Sequence, residues 1–285
     1  MRGALWIVLA SLVGATMTAL IKHVGQRIPV VEILFVRQFI VIAILTPVLV
    51  HHRRTVFKTE VMRYHVLRGV FGAIAMTTGF TAMVHLPLAE ATAISFAKTL
   101  FMTLLAIVFL GEKVGIRRWS VTIIGFIGVL IIIRPDTDNV NAYALLALLS
   151  SMFVAGIMIL LKKLARTEPS ATIMIYQSMF VTGLLVGPAI YFWVAPTWLE
   201  LGLILIIGLL MSMMQWLMIQ GLKAAEAVAV APVEYLRLLF ATAIGIVVFA
   251  EIPTVWTVAG SAIIIGSTFY TIRRNAKRKK VGEGG

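Results

Sequence analysis

The chain has 285 residues, 60% of them hydrophobic and only 13% charged, whereas a soluble domain is about half apolar and about a quarter charged. That excess excludes an ordinary soluble domain and leaves room for roughly ten spans of ~20 residues joined by short loops. The formal charge is +13 and no cysteine is present. The missing thiols rule out disulfides, iron–sulfur clusters and thiol nucleophiles, and the basic residues cluster at span ends and in one tail without interleaved aromatics, a pattern that argues against nucleic acid.

In chain order, the first apolar run, Ala4 to Ile21, leads into Lys22-His23 with no small-residue cleavage site, so it reads as an uncleaved first span. Further apolar stretches bounded by charge, Pro or Gly give spans near 4–22, 31–50, 67–86, 90–110, 119–134, 142–162, 171–194, 199–221, 227–250 and 254–272. Each must be helical, because lipid offers nothing to satisfy unpaired backbone groups. The expected fold is an all-α integral membrane protein of ten transmembrane helices. The longest connection, about His51 to Val66, carries Arg53, Arg54, Lys58 and Arg63. Together with Arg2, Lys113, Arg117, Arg118, Lys162, Lys163, Arg166, Lys223 and the tail Arg273 to Lys280, these residues place both termini in the cytoplasm; Lys22, Arg27 and Arg134 remain on the other side.

The halves of the chain overlay at a shift of roughly 136–141 residues. Lys22 meets Lys162, Gln38 meets Gln177, and Pro47 meets Pro188. Glu90 and Glu112 meet Glu226 and Glu251, and Gly128 meets Gly266. An odd number of spans per half inverts the second half, which gives two five-helix inverted repeats (1–140 and 141–272) and a basic tail (273–285). In that design the site lies near the midplane between the repeats.

Charges inside spans are functional candidates by default. Four qualify: Arg37, Lys98, Glu234 and Arg237. The overlay puts Lys98 and Glu234 at equivalent places, and Arg237 lies one turn from Glu234. Two readings follow. Glu234, Arg237 and Lys98 hold the halves together as ion pairs, or Lys98 and Arg237 dock a substrate carboxylate or phosphate while Glu234 receives an ammonium group or the coupling proton. Arg37, two turns from the outer surface, is equally read as a snorkelling charge. Phe96, Phe101, Tyr176, Gln177, Gln215, Trp216 and Tyr235 are candidate cavity walls, with core filling as the plainer role. Trp193 and Trp198 read as interfacial anchors. Pro47 and Pro188 read as helix stops or gating interruptions, and Gly69, Gly72 and Gly79 as close-packing positions. Glu90, Glu226, Glu112 and Glu251 lie at helix ends and are assigned to structure first, a packing or gate role being open for Glu112 and Glu251, with pairing to Lys113 or Arg117 sufficient for Glu112.

The stretches Leu86-Pro-Leu-Ala-Glu-Ala-Thr-Ala-Ile-Ser-Phe, Phe109-Leu-Gly-Glu-Lys, Ala231-Pro-Val-Glu-Tyr-Leu-Arg and Phe249-Ala-Glu-Ile-Pro resemble the drug/metabolite transporter superfamily in its ten-helix EamA branch. Within it the chain is similar to the group labelled S-adenosylmethionine or riboflavin uptake transporters. It lacks the Tyr-Leu-Trp-Pro stretch of the aromatic amino acid exporters. The resemblance implies a bacterial inner-membrane carrier of amino acids, nucleosides, vitamins or related metabolites, working by alternating access. Neither a His-Glu-x-x-His zinc motif, nor a Gly-x-Ser-x-Gly elbow, nor a phosphate-binding loop occurs, so neither enzyme chemistry, a cofactor nor a metal is expected, and gradients supply the energy. The expected partners are a small-molecule substrate, the bilayer and protons, with a homodimer left open. The rival readings are a passive channel and a membrane-embedded lipid-modifying enzyme.

Overall fold

The computed structural model describes residues 2–56, 59–110, 116–133, 141–164, 167–224 and 235–282. The described residues contain helices and no strand. The helices are α1 (Arg2–Val24), α2 (Val30–Val56), α3 (Met62–His85), α4 (Leu88–Ser95), α5 (Lys98–Leu110), α6 (Ile116–Ile133), α7 (Ala142–Leu164), α8 (Ser170–Tyr191), α9 (Trp198–Ala224), α10 (Leu236–Phe249) and α11 (Val255–Gly282). Among the described residues six segments are long and apolar enough to cross a membrane: Leu5–Val24, Met62–His85, Leu88–Leu105, Ala142–Leu161, Thr172–Tyr191 and Trp198–Met218. Shorter apolar helices cover Thr122–Ile133, Leu236–Phe249 and Val255–Ser267. The predicted span 31–50 is helical as α2.

Three expectations change. The predicted span 90–110 is two helices, α4 and α5, meeting in a tight turn at Phe96-Ala97. No Pro or Gly causes the break. Hydroxyls flank it: Ser95 donates to the Thr92 carbonyl at 2.6 Å and Thr99 to the Phe96 carbonyl at 2.8 Å, back-bonding that favours bending, although Thr18 does the same within unbroken α1. Backbone bonds tighten to three-residue spacing there, as in Ala97 N–H to Ile94 O at 2.9 Å, while the Ser151 hydroxyl of α7 reaches the same Ile94 carbonyl at 3.1 Å. Second, Pro47 does not stop α2, which continues to Val56. Third, α11 runs through the start of the basic tail to Gly282 instead of ending near residue 272.

Helices of the first half pack against those of the second: α1 on α9 and α10, α2 on α8 and α9, α3 on α7 and α8. The expected small-residue contacts occur at Gly79, where a side chain would collide with Ser150, and at Gly69, where it would collide with Phe180. The α6–α11 pair crosses at Gly128, whose added Cβ would lie 2.9 Å from the Gly260 carbonyl. Without a hydrophobic drive between helices in lipid, such close approaches supply the packing contacts that hold spans together. The buried apolar residues fall into separate clusters, one around Ala82, Ile94, Phe96, Leu100 and Tyr235, another around Met17, Ile21, Ile33, Ile204 and Ile207. The charged groups described next lie between and beneath these clusters.

Candidate substrate site

Arg37 is 0% exposed, so snorkelling to the surface is excluded. From α2 its guanidinium donates to the thioether sulfurs of Met211 on α9 and Met76 on α3, the latter at 3.1 Å. It also lies 5.5 Å from the Phe80 ring centroid. Thioethers are weak acceptors, and the Arg37 Nε has no hydrogen-bond partner. Among the described residues no carboxylate pairs with it; the ion pairs there are Lys22–Glu251 and Arg27–Glu200. Glu32 shares α2 but does not neutralise Arg37. It is five residues away, about 7.5 Å along the axis, and its carboxylate accepts the Val194 N–H at 2.9 Å.

Arg237 approaches the same wall of α9 one turn further on. A Cβ added at Gly14 would lie 3.6 Å from the Arg237 Nε and touch the sulfur of Met214. Met211 and Met214 are three residues apart on one helix face, so the two arginines reach neighbouring turns of a methionine-lined strip. Methionine is polarisable and adapts its shape, which suits a wall that must accommodate more than one packing.

Lys98 begins α5 at the helix break, its Nζ 5.9 Å from the Phe96 ring centroid. Phe96 meets Tyr235 edge to face with centroids 4.8 Å apart, both rings being buried. That contact joins the break in the first half to the start of α10 in the second. Glu234 lies outside the described residues, as does the side chain of Gln215. Gln177 faces Gly72 across the α3–α8 contact. Tyr176 is buried against His65, ring centroids 4.6 Å apart. Phe101 packs on Phe126 at the α5–α6 contact. Trp216 points elsewhere: it is half exposed and stacks edge to face on Trp6 at 5.5 Å. Thus Arg37 and Arg237 converge on α9, Lys98 joins Phe96 and Tyr235, and Trp216 stays apart.

Three groups escaped the sequence reading. Lys22 is 6% exposed and pairs with Glu251 across the halves. Glu32 is wholly buried. His65, placed beside a loop by sequence, is 1% exposed within α3, next to Arg68, which donates to the Ile173 carbonyl at 3.2 Å. The signal for Lys22 and Glu251 was available, since both recur in the repeat overlay, but each was read within its own half. Among the described residues no group of His, Asp and Glu could hold a metal ion.

A bundle of apolar helices that buries arginines and a lysine between its two halves is the architecture of a polytopic membrane transporter. The EamA-like transporter family model matches residues 1–134 and again 141–273. The chain belongs to that family and is a transporter of a small metabolite. It is 30% identical to an S-adenosylmethionine uptake transporter of Rickettsia bellii, covering 97% of this chain and 96% of that one. A riboflavin transporter of Brucella anthropi is 31% identical over 87% of this chain and 90% of its own length. A pseudopaline exporter of Pseudomonas aeruginosa is 29% identical over 92% and 93%. One solved crystal structure shares the fold, with a TM-score of 0.64 at 18% identity over 96% of this chain and 98% of that one.

Proposed function

We propose that the chain is a secondary carrier that moves a zwitterionic, carboxylate-bearing metabolite across a bacterial inner membrane by alternating access. The two family matches support reading residues 1–140 and 141–272 as a pair of inverted five-helix repeats, with the lysine and arginine bias supporting cytoplasmic termini and tail. The single observation that carries the substrate reading is Arg37. Among the described residues this fully buried guanidinium meets thioethers and a ring and no anion that would stabilise it, and a substrate carboxylate supplies one. Arg237 and Lys98 extend the cationic wall, while Phe96 and Tyr235 offer aromatic surface for a ring. Gln177 contributes an amide.

This chemistry separates the names of the relatives. S-Adenosylmethionine carries a carboxylate, an ammonium group and a purine; riboflavin carries a ring but no carboxylate. A thermal-shift screen of the purified protein is expected to give a raised melting temperature with S-adenosylmethionine and none with riboflavin, since a ligand that binds the folded state stabilises it by mass action. The reverse order would overturn the carboxylate reading.

Glu234 is the proposed coupling carboxyl. A substrate anion arriving at Lys98 and Arg237 withdraws their support from a carboxylate beside them and favours its protonation. Glu234→Gln is then expected to exchange substrate across proteoliposomes without concentrating it under a pH gradient. Uphill uptake by Glu234→Gln at the parent rate would leave Glu234 as a structural partner of Arg237.

A further inference from the structure

Lys22 closes α1, Glu251 follows α10, and Leu86-Pro87-Leu88 separates α3 from α4. These three segment ends are brought to one point, which the lysine and arginine bias places at the outer side. The Lys22 ammonium pairs with the Glu251 carboxylate and donates to the Leu86 carbonyl at 2.5 Å. The other carboxylate oxygen accepts the Leu88 N–H at 2.9 Å, and the Phe249 ring lies 5.4 Å from the ammonium. Ala250 stands in the left-handed region with φ 54°. That conformation costs a non-glycine residue energy, and it turns the chain so that Glu251 folds back onto the end of α10, where its N–H donates to the Gly245 carbonyl at 2.9 Å. Directly beneath lies an apolar plug of Ala15, Ala19, Leu88 and Ala241.

Desolvating two charges rarely gains stability over an apolar pair, but it makes an all-or-none contact that fixes one arrangement. This contact ties α1 and the α3–α4 turn of the first half to α10 of the second. The repeat overlay then adds a constraint. A shift of 140 carries Lys22 onto Lys162, and a shift of 139 carries Glu112 onto Glu251. Each half therefore owns one such cation and one such anion. The outer pair takes the cation of the first half and the anion of the second. The remaining two, Lys162 and Glu112, both fall on the inner side by the charge bias of the loops.

We infer that Lys22 and Glu251 form the latch of an outer gate, closed in this structure. The inference rests on the inverted-repeat carrier proposed above. Alternation works only when the two access states lie close in energy, and a desolvated ion pair, which fixes one arrangement while adding little net stability, meets that requirement. Opening outward parts α1 from α10 and exposes the Ala15 layer to water.

The chain has no cysteine, so one introduced thiol reports alone. Ala15→Cys, in intact cells treated from outside with an impermeant methanethiosulfonate, is expected to label slowly. Adding Glu251→Gln raises the rate by about tenfold, because weakening the outer latch shifts the population toward the outward-open state. A second reporter, Ala195→Cys at an exposed position in the connection between α8 and α9, labels equally in every variant that has inserted correctly. If Glu251→Gln does not insert, Lys22→Gln reads the same contact. Labelling of Glu251→Gln at the parent rate overturns the latch. So does a matching rise with Arg27→Gln, which breaks the more exposed Arg27–Glu200 pair and marks general loosening. The assay needs no substrate; uptake of S-adenosylmethionine by the same cells judges the carrier reading separately.

Discussion

Lys22 and Arg37 are both buried cations in the first half, and the protein keeps them in opposite ways. Lys22 has a carboxylate, a backbone carbonyl and an aromatic face, and its carboxylate partner is itself satisfied by a backbone N–H. Arg37 is the more deeply buried of the two, yet it has two sulfurs and a ring. A site completed by its own residues serves structure or a switch. A site with unspent hydrogen-bonding capacity and uncancelled charge calls for something from outside, because an uncompensated buried charge is expensive. Burial alone does not separate the two cases; the partners do.

The comparison breaks first at Lys22. Lys22→Met leaves the partly buried Glu251 without its cation and is expected to destabilise the protein by about 2–3 kcal/mol, below the cost for a fully buried pair, measured as a shift in unfolding by a mild denaturant in detergent. The double variant Lys22→Met/Glu251→Met should recover most of that loss, falling short because the Leu88 N–H loses its acceptor. If the double variant is as unstable as the single one, the apolar surroundings and not the pair hold the outer end.

A smaller effect is expected at the helix break that sets Lys98. Ser151→Ala removes one acceptor-sharing hydroxyl from the Ile94 carbonyl, worth about 1 kcal/mol. Since that hydroxyl supports the turn which starts α5 at Lys98, substrate affinity should fall with it. Unchanged affinity would mean that the break is held by Ser95 and Thr99 alone.

Much of this arrangement was legible in the chain. Apolar runs bounded by charge located the helices, because lipid leaves the backbone no other choice. Arg37, Lys98 and Arg237 stood out as charges where charge is costly. Two things were hidden for physical reasons. The break at Phe96-Ala97 has no Pro or Gly to announce it, and is flanked by hydroxyls of its own turn together with Ser151, some sixty residues away in sequence and one helix away in space. The depth of Arg37 was also misread: counting turns from a helix end measures distance along the axis, whereas burial depends on α3 and α9 closing over it. Trp216 shows the same limit, since its helix face turns toward Trp6 and away from the arginines.

The central claim is that Arg37 waits for an anion, and Arg37→Met tests it most directly. Methionine fills similar volume among Met76, Met211 and Phe80 and removes a buried charge that no carboxylate among the described residues offsets. The purified variant is therefore expected to unfold at the same temperature as the parent or higher, while its stabilisation by S-adenosylmethionine disappears. A variant that melts well below the parent and still gains the full ligand-induced shift would contradict the account, because Arg37 would then be a structural cation and the anion would dock elsewhere.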